Sequence, residues 1–362
     1  MKIGIITFHR AYNYGAALQS YALFTYVKML GHDVEIIDYL PNNCCNGSKS
    51  LVRRILHIVK SIIMFNSMME DYKKSKYFNK FVLDRLNLSP RCYYGDNDIE
   101  QDPPQYDLYI SGSDQILNME LTGDSKAYYL NFIKENIKLS YGSSFGREKI
   151  SDKEKIMIKH ELSTFRYLSV RERSAANIIQ SQINRKPLLV ADPVFLLDKG
   201  EWEELIDNAE TNKNYILIYA MEVTKPLVRI ANLLMKKNKQ VFVVYGGAEN
   251  SGISGKKIIP NGPIDFLKYI KNAEYVITNS FHGISFSLIF GKKIIGISHS
   301  TKNTRIQNLY ELIEQKSKLI SYNDEPNDFH NYIIDGKQAY ANLNGIISES
   351  RSYLRNCFVI TQ

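Results

Sequence analysis

Short apolar runs alternate along this chain with stretches in which apolar residues recur at helical spacing. A strand feeding a helix, repeated many times, predicts α/β architecture. The first unit reads as a strand over 2–7, a polar, aromatic loop to Tyr14, and a helix from about Gly15 that Gly31 closes. A strand over 34–38 follows. Residues 51–86 then interrupt the alternation with a helical insertion. On a helical wheel of 51–65, Arg53, Arg54, His57, Lys60 and Ser61 form one narrow strip and aliphatic residues cover the rest. Such a helix either packs between protein surfaces or lies in a membrane interface. A second helix in the insertion carries Tyr77, Phe78, Phe81 and Val82 on one face.

The alternation resumes with strands over 106–111, 137–142, 167–170 and 188–190. Charged residues dominate between 197 and 214, and that stretch marks a domain boundary. Beyond it come strands over 215–220, 240–245, 275–278 and 293–297, with helices between them, and a last helix over 337–356. The expected fold is therefore two doubly wound, Rossmann-like domains facing a cleft. The partition is 1–200, 201–340, and a C-terminal helix in 341–362. No repeat of fixed period and no low-complexity segment is visible.

Composition fits this picture. The chain has 362 residues, 44% hydrophobic and 23% charged, as soluble two-domain proteins do. Its net charge of +8 favours anionic ligands or membrane lipids. The basic residues are scattered, without the dense basic stripe of a nucleic-acid surface, so nucleic acid is not an expected partner. Cys44, Cys45, Cys92 and Cys357 lack metal-ligand spacing and read as free thiols of a reducing cytoplasm. No signal peptide and no spanning apolar stretch is apparent.

In open α/β sheets, ligands bind beyond the carboxyl ends of the strands, so candidate chemistry is sought there. After the strand 275–278 comes Asn279-Ser280-Phe281-His282-Gly283, with Ser280 a candidate helix N-cap. His282 then falls in the first helical turn, where backbone N–H groups and the helix dipole favour an anion. Lys302 and Arg305 follow the next strand near another helix start, where an anionic ligand would offset their unfavourable position. Arg171 ends the strand 167–170 and suits a carboxylate or phosphate. Asn13, Tyr14 and Gly15 open the first helix and fit either a ligand or turn chemistry. Ser113, Asp114 and Gln115 end the strand 106–111; Asp114 orients a sugar hydroxyl or caps the next helix. No GxGxxG, P-loop, HExxH, GxSxG or DxD-type run is present.

Together, Asn13-Tyr14-Gly15-Ala16-Ala17-Leu18-Gln19, Ser111-Gly112-Ser113-Asp114-Gln115, Tyr141-Gly142-Ser143-Ser144-Phe145-Gly146, Val170-Arg171-Glu172, Asp192-Pro193 and Ser280-Phe281-His282-Gly283 stand in the order seen in the polysaccharide pyruvyl transferases. The chain resembles that family over about residues 2–320. The resemblance implies a GT-B-like fold and a bacterial, cytoplasmic transferase of capsular or exopolysaccharide biosynthesis. It implies transfer of the enolpyruvyl group of phosphoenolpyruvate (PEP) to two sugar hydroxyls, giving a pyruvate ketal and phosphate, with no metal and no cofactor beyond PEP as co-substrate. By position, His282 and Arg171 match family site residues, and Asp114 joins them as a catalytic candidate. Arg171, Ser280, His282, Gly283, Lys302 and Arg305 are the expected PEP-binding set on the second-domain side. Asn13, Tyr14, Gly15, Ser113, Asp114 and Gln115 are the expected acceptor set. An undecaprenyl-linked oligosaccharide acceptor would give 51–65 a reason to touch the inner face of the membrane. Ser280 is a departure, since some branches of the family carry arginine there. A GT-B glycosyltransferase using a sugar nucleotide, and a non-catalytic glycan-binding protein, are the alternative readings.

Overall fold

The computed structural model describes residues 1–41, 65–123, 125–206, 215–236, 240–245, 253, 255–301 and 303–359. Apart from Phe65, the apolar helix expected over 51–65 lies outside the described residues, as does Lys302. Strands are named β1 to β13 and helices α1 to α13 in chain order. The first domain begins with β1 (Lys2–Ile6), α1 (Tyr14–Met29), β2 (Asp33–Leu40), α2 (Phe65–Arg85), β3 (Leu88–Tyr94) and α3 (Asp96–Gln101). It continues with β4 (Leu108–Ser111), α4 (Met119–Thr122), β5 (Ile137–Ser140), α5 (Asp152–Glu161), β6 (Ser169–Val170), α6 (Arg173–Ile183), β7 (Leu188–Leu189) and α7 (Lys199–Glu204). Its parallel sheet has the order β3-β2-β1-β4-β5. The pair β6-β7 extends it through single bridges, Leu139 with Tyr167 and Ser143 with Val170.

The second domain comprises β8 (Tyr215–Ala220), α8 (Lys225–Met235), β9 (Val241–Tyr245), β10 (Lys256–Lys257), α9 (Pro263–Asn272), β11 (Ala273–Thr278), α10 (Phe281–Ile289), β12 (Lys293–Gly296), α11 (Thr304–Leu312), β13 (Ile334–Asp335) and α12 (Gly336–Ala341). Its sheet order is β10-β9-β8-β11-β12-β13, with only β13 antiparallel among the described strands. Strand order reverses between β1 and β4 in one sheet and between β8 and β11 in the other. The crevices that ligands use in such sheets open at those two points.

All ten expected strands form: seven are a residue or two shorter than their apolar runs, β8 matches its run, and β2 and β11 are longer. Three strands escape the hydrophobic pattern: β3, β10 and β13. The edge strand β3 contains Pro90, which an edge tolerates because no further strand needs its missing N–H. The ladder is irregular there, and Ser89 Oγ accepts the Asp38 N–H at 2.9 Å in place of a backbone carbonyl. In α2, Phe78, Phe81 and Val82 are buried as expected, but Tyr77 is exposed on the flank. The final helix expected over 337–356 is two helices, α12 and α13 (Asn344–Val359).

The chain returns from the second domain to the first. On α13, Ser350 Oγ accepts the Ala191 N–H at 2.8 Å, and Tyr353 Oη donates to the Ser140 carbonyl at 3.0 Å. An apolar core runs across both domains. Within it, Tyr14 of α1 stacks on Phe266 of α9 (4.6 Å between centroids, 7° between planes), and Trp202 meets Phe286 edge to face at 4.9 Å. Among the described residues, no helix is long and apolar enough to cross a membrane.

Candidate functional site

Between the two crevices lies a cleft of about 560 Å³. The β1–α1 loop and the β4 end line one wall, through Phe8, Arg10, Asn13, Asp114 and Gln115. The ends of β8, β11 and β12 line the other, through Met221, Ser280, His282, His299 and Arg305. Local chemistry fixes the second wall. Asn279 spans the strand reversal: its Oδ1 accepts the Met221 N–H at 2.8 Å and its Nδ2 donates to the Glu222 carbonyl at 2.6 Å. Ser280 caps α10, accepting the Gly283 N–H at 3.3 Å, as its sequence position predicts. That cap sets His282 in the first turn.

The imidazole of His282 reaches the other domain. It lies on Gly15, where a Cβ would come within 1.9 Å of Nδ1, so only glycine admits the ring against the start of α1. Asn13 caps that helix, its Oδ1 accepting the Ala16 N–H at 3.1 Å. On its other side, His282 Nε2 stands 3.6 Å from Asp192 Oδ2, within ion-pair range but short of a formed hydrogen bond.

Beneath the cleft floor lies a compact charge cluster. Arg171 donates through Nη1 to Asp192 (2.5 Å) and through Nη2 to Asp114 (3.0 Å), and its Nε is 3.6 Å from Glu172. The guanidinium is 1% exposed. Burial would lower the Arg171 pKa, but Asp192, Asp114 and Glu172 outweigh it and raise it. Burial would likewise raise the two aspartates. The charges of His282 and Arg171 and the Val194 N–H instead hold Asp192 well below the usual range, and Arg171, Arg305 and His282 lower Asp114. Asp114 adopts a left-handed backbone (φ 73°), uncommon for a residue other than glycine and a form of strain found at functional sites. Glu172 also accepts Ser144 Oγ at 2.6 Å.

Arg305 sits at the cleft side of this cluster. Its Nη1 is 3.8 Å from Asp114, and its guanidinium lies 5.9 Å from the Phe281 ring, which also carries Arg171 at 5.1 Å. Burial and then the charge of Arg171 lower its pKa. Among the described residues it makes no hydrogen bond, so its donors remain for a ligand. An anion would relieve the opposition between these two guanidiniums.

The structure thus brings together Arg171, Asp114, His282 and Arg305, and leaves Asn13, Gln115 and Ser280 at the cleft wall. Other expectations are corrected. Arg171 does not line the cleft; three carboxylates enclose it below. Gly283 is buried, its own Cβ position 2.5 Å from Thr278 Oγ1. Tyr14 packs in the domain seam with its hydroxyl donating to the Pro260 carbonyl at 3.3 Å, and Gly15 lies under His282. Ser113 is fully buried and donates to the Gly142 carbonyl at 2.9 Å. Asp192 was not among the expected site residues. Its signal was available: a carboxylate and a proline directly after a short strand place an acid at a carboxyl end.

The comparisons with known proteins bear on family and fold. Over residues 13–301 the sequence matches the family described as Polysaccharide pyruvyl transferase. No curated protein matches it significantly. Among solved structures, it is similar to Anabaena Alr3699/HepE in complex with UDP, at TM-score 0.55 and 8% identity, covering 99% of this chain and 100% of that one. It is also similar to the S. aureus MnaA–UDP co-structure, at TM-score 0.51 and 13% identity, covering 97% and 90%. At such identities the likeness concerns fold, which is of the GT-B type. The match spans most of the chain and includes the helix start that carries His282, and on that ground this protein belongs to the polysaccharide pyruvyl transferase family.

Proposed function

We propose that this protein transfers the enolpyruvyl group of PEP to two hydroxyls of a sugar in a lipid-linked polysaccharide precursor, at the cytoplasmic face of a membrane. The observation that carries the reading is His282. It is seated across the domain interface on Gly15, backed by Asp192, and faces the same cleft as the open donors of Arg305.

PEP presents a carboxylate and a phosphate to be held by fixed cations and helix N–H groups. Arg305 and the first turn of α10 supply these on the second wall, and the reading calls for no further cofactor. His282 delivers a proton to the methylene carbon, and C2 becomes oxocarbenium-like. One sugar hydroxyl adds at C2, the bond from C2 to the phosphate oxygen breaks, and the second hydroxyl closes the ketal. The methylene gains one proton, the two hydroxyls release two, and the remaining one departs with phosphate. Asp192 orients the imidazole and stabilises its charged form, as a buried carboxylate does in a His–Asp pair. Arg171 holds Asp192 and Asp114 in place; it is a positioning residue.

The test is phosphate release from PEP in the presence of sugar acceptors, with product mass. A product heavier by pyruvate less water, lost in His282→Ala, is the expected result. Release of a nucleotide from a sugar nucleotide, with no phosphate from PEP, would replace this reading with a glycosyltransferase. Glycan binding without either turnover would replace it with a binding protein.

A further inference from the structure

The two walls of the cleft differ in chemistry. The second-domain wall carries His282, Arg305 and a helix start. The first-domain wall carries Asn13, Asp114 and Gln115 toward His282, and beyond them Phe8, Tyr39, Leu40, Leu121 and Tyr128 stand around Arg10. Asp38 already meets its charge, accepting from Nε at 2.5 Å and Nη2 at 2.6 Å. Burial would raise the Asp38 carboxyl, but Arg10 and His9 outweigh it and hold it well below the usual range. His9, buried behind the pair, lies 3.0 Å from Asp38 through Nε2. The guanidinium is therefore fixed edge-on, and among the described residues its Nη1 has no hydrogen-bond partner. Phe8 beside it is only partly buried and rests edge to face on Tyr128 (5.2 Å, 84°). Tyr128 in turn meets Tyr39 (5.4 Å, 89°), whose hydroxyl donates to Asp96 at 2.6 Å.

We infer that Phe8 and Arg10 form a subsite for a neutral pyranose, the sugar that accepts the pyruvyl group. An aromatic side chain offers a face for the C–H side of a sugar ring, and an immobilised guanidinium offers donors to its hydroxyls at little entropic cost. Because Asp38 neutralises Arg10, the subsite gains little from an anionic sugar. The loop from Phe8 leads within seven residues to Gly15, on which His282 lies, so the acceptor stands beside the proposed donor site. This inference rests on the pyruvyl-transfer reading for its role, but not for the binding itself.

Two measurements separate the two. In turnover, Arg10→Gln should raise the acceptor KM by about ten- to a hundredfold, the loss of a hydrogen bond from a charged donor. Phe8→Leu should raise it by about three- to tenfold. In both, the PEP KM should stay within about twofold. Phe8→Leu should keep the thermal midpoint near that of the wild type, whereas Arg10→Gln also leaves the buried Asp38 carboxylate without its cation and lowers the midpoint, so its KM is read at a temperature where the variant is fully folded. A PEP KM that rises equally, or an unchanged acceptor KM, overturns the inference. Binding is read without PEP by saturation-transfer NMR, using methyl β-galactopyranoside, methyl α-mannopyranoside and glucuronate. Saturation of ring protons in a neutral glycoside, lost in Arg10→Gln, supports the subsite even if PEP is never turned over. Preference for glucuronate, or no saturation of either glycoside, overturns it.

Discussion

Replacing Arg171 by methionine should destabilise this protein strongly, and by an amount that depends on pH. The substitution removes the cation between Asp192, Asp114 and Glu172, which lie 2.5, 3.0 and 3.6 Å from it. At an effective dielectric near 20, each such contact is worth on the order of 5 kcal/mol before desolvation is counted. The desolvation of the ions offsets most of this, and breaking a buried pair from one side costs about 3–5 kcal/mol. The expected fall in thermal midpoint is roughly 5–15 °C. In the wild type, Asp192 and Asp114 have folded pKa values below their unfolded ones. Their stabilisation is complete above about pH 4 and is lost as pH falls further. Without Arg171, His282 and the Val194 N–H still favour ionised Asp192, and Arg305 still favours ionised Asp114, but both carboxyls titrate higher than in the wild type. The folded variant therefore takes up protons at a higher pH than the folded wild type does. The gap between the two should be widest near pH 7.5 and narrow in the acid range, read by chemical denaturation at steps from pH 7.5 down to about pH 4. A gap under about 1 kcal/mol, or one independent of pH, would refute the reasoning. Should Arg171→Lys raise the PEP KM without loss of stability, Arg171 contacts the donor and is not a positioning residue.

Other substitutions probe the same assembly. Gly15→Ala places a methyl against His282 Nδ1; overpacking should cost about 1–3 kcal/mol and kcat should fall by more than that loss of stability explains. Asp192→Asn keeps an acceptor for the Val194 N–H but removes the charge beside His282; kcat should fall and the acid limb of its pH profile should move, with PEP affinity nearly constant. Ser280→Ala should cost about 1 kcal/mol through loss of the cap of α10 and Ser280→Gly only a few tenths, by denaturant midpoint.

Much of this architecture is legible in the sequence because most of its strands are buried on both faces and read as continuous apolar runs. Tyr215–Ala220, buried throughout, is such a case. Edge strands lack that signal: β3 contains Pro90, and Pro90, Arg91 and Tyr94 are exposed. The helix start at His282 was equally legible, since a strand, a serine and a glycine-flanked histidine define it locally. The fate of Arg171 was not. Its surroundings come from Asp114 after β4, its own neighbour Glu172 and Asp192 after β7, and sequence spacing does not reveal that three carboxylates converge on one guanidinium. Tyr14 misled for a similar reason. Its polar tip and loop position suit a ligand, yet its ring faces Phe266, which is distant in the chain and adjacent only once both domains are assembled.

The return of α13 to the first domain has a consequence for how the protein is made. Ala191 and Ser140 wait for Ser350 and Tyr353, which are translated only after the whole second domain. At ordinary elongation rates that interval lasts roughly ten to thirty seconds. During it the nascent first domain carries uncovered apolar surface, including the half of the seam that Tyr14 contributes. Slow codons or chaperone contacts within that window would therefore bear on yield, and fragments ending near residue 206 are poor candidates for soluble expression.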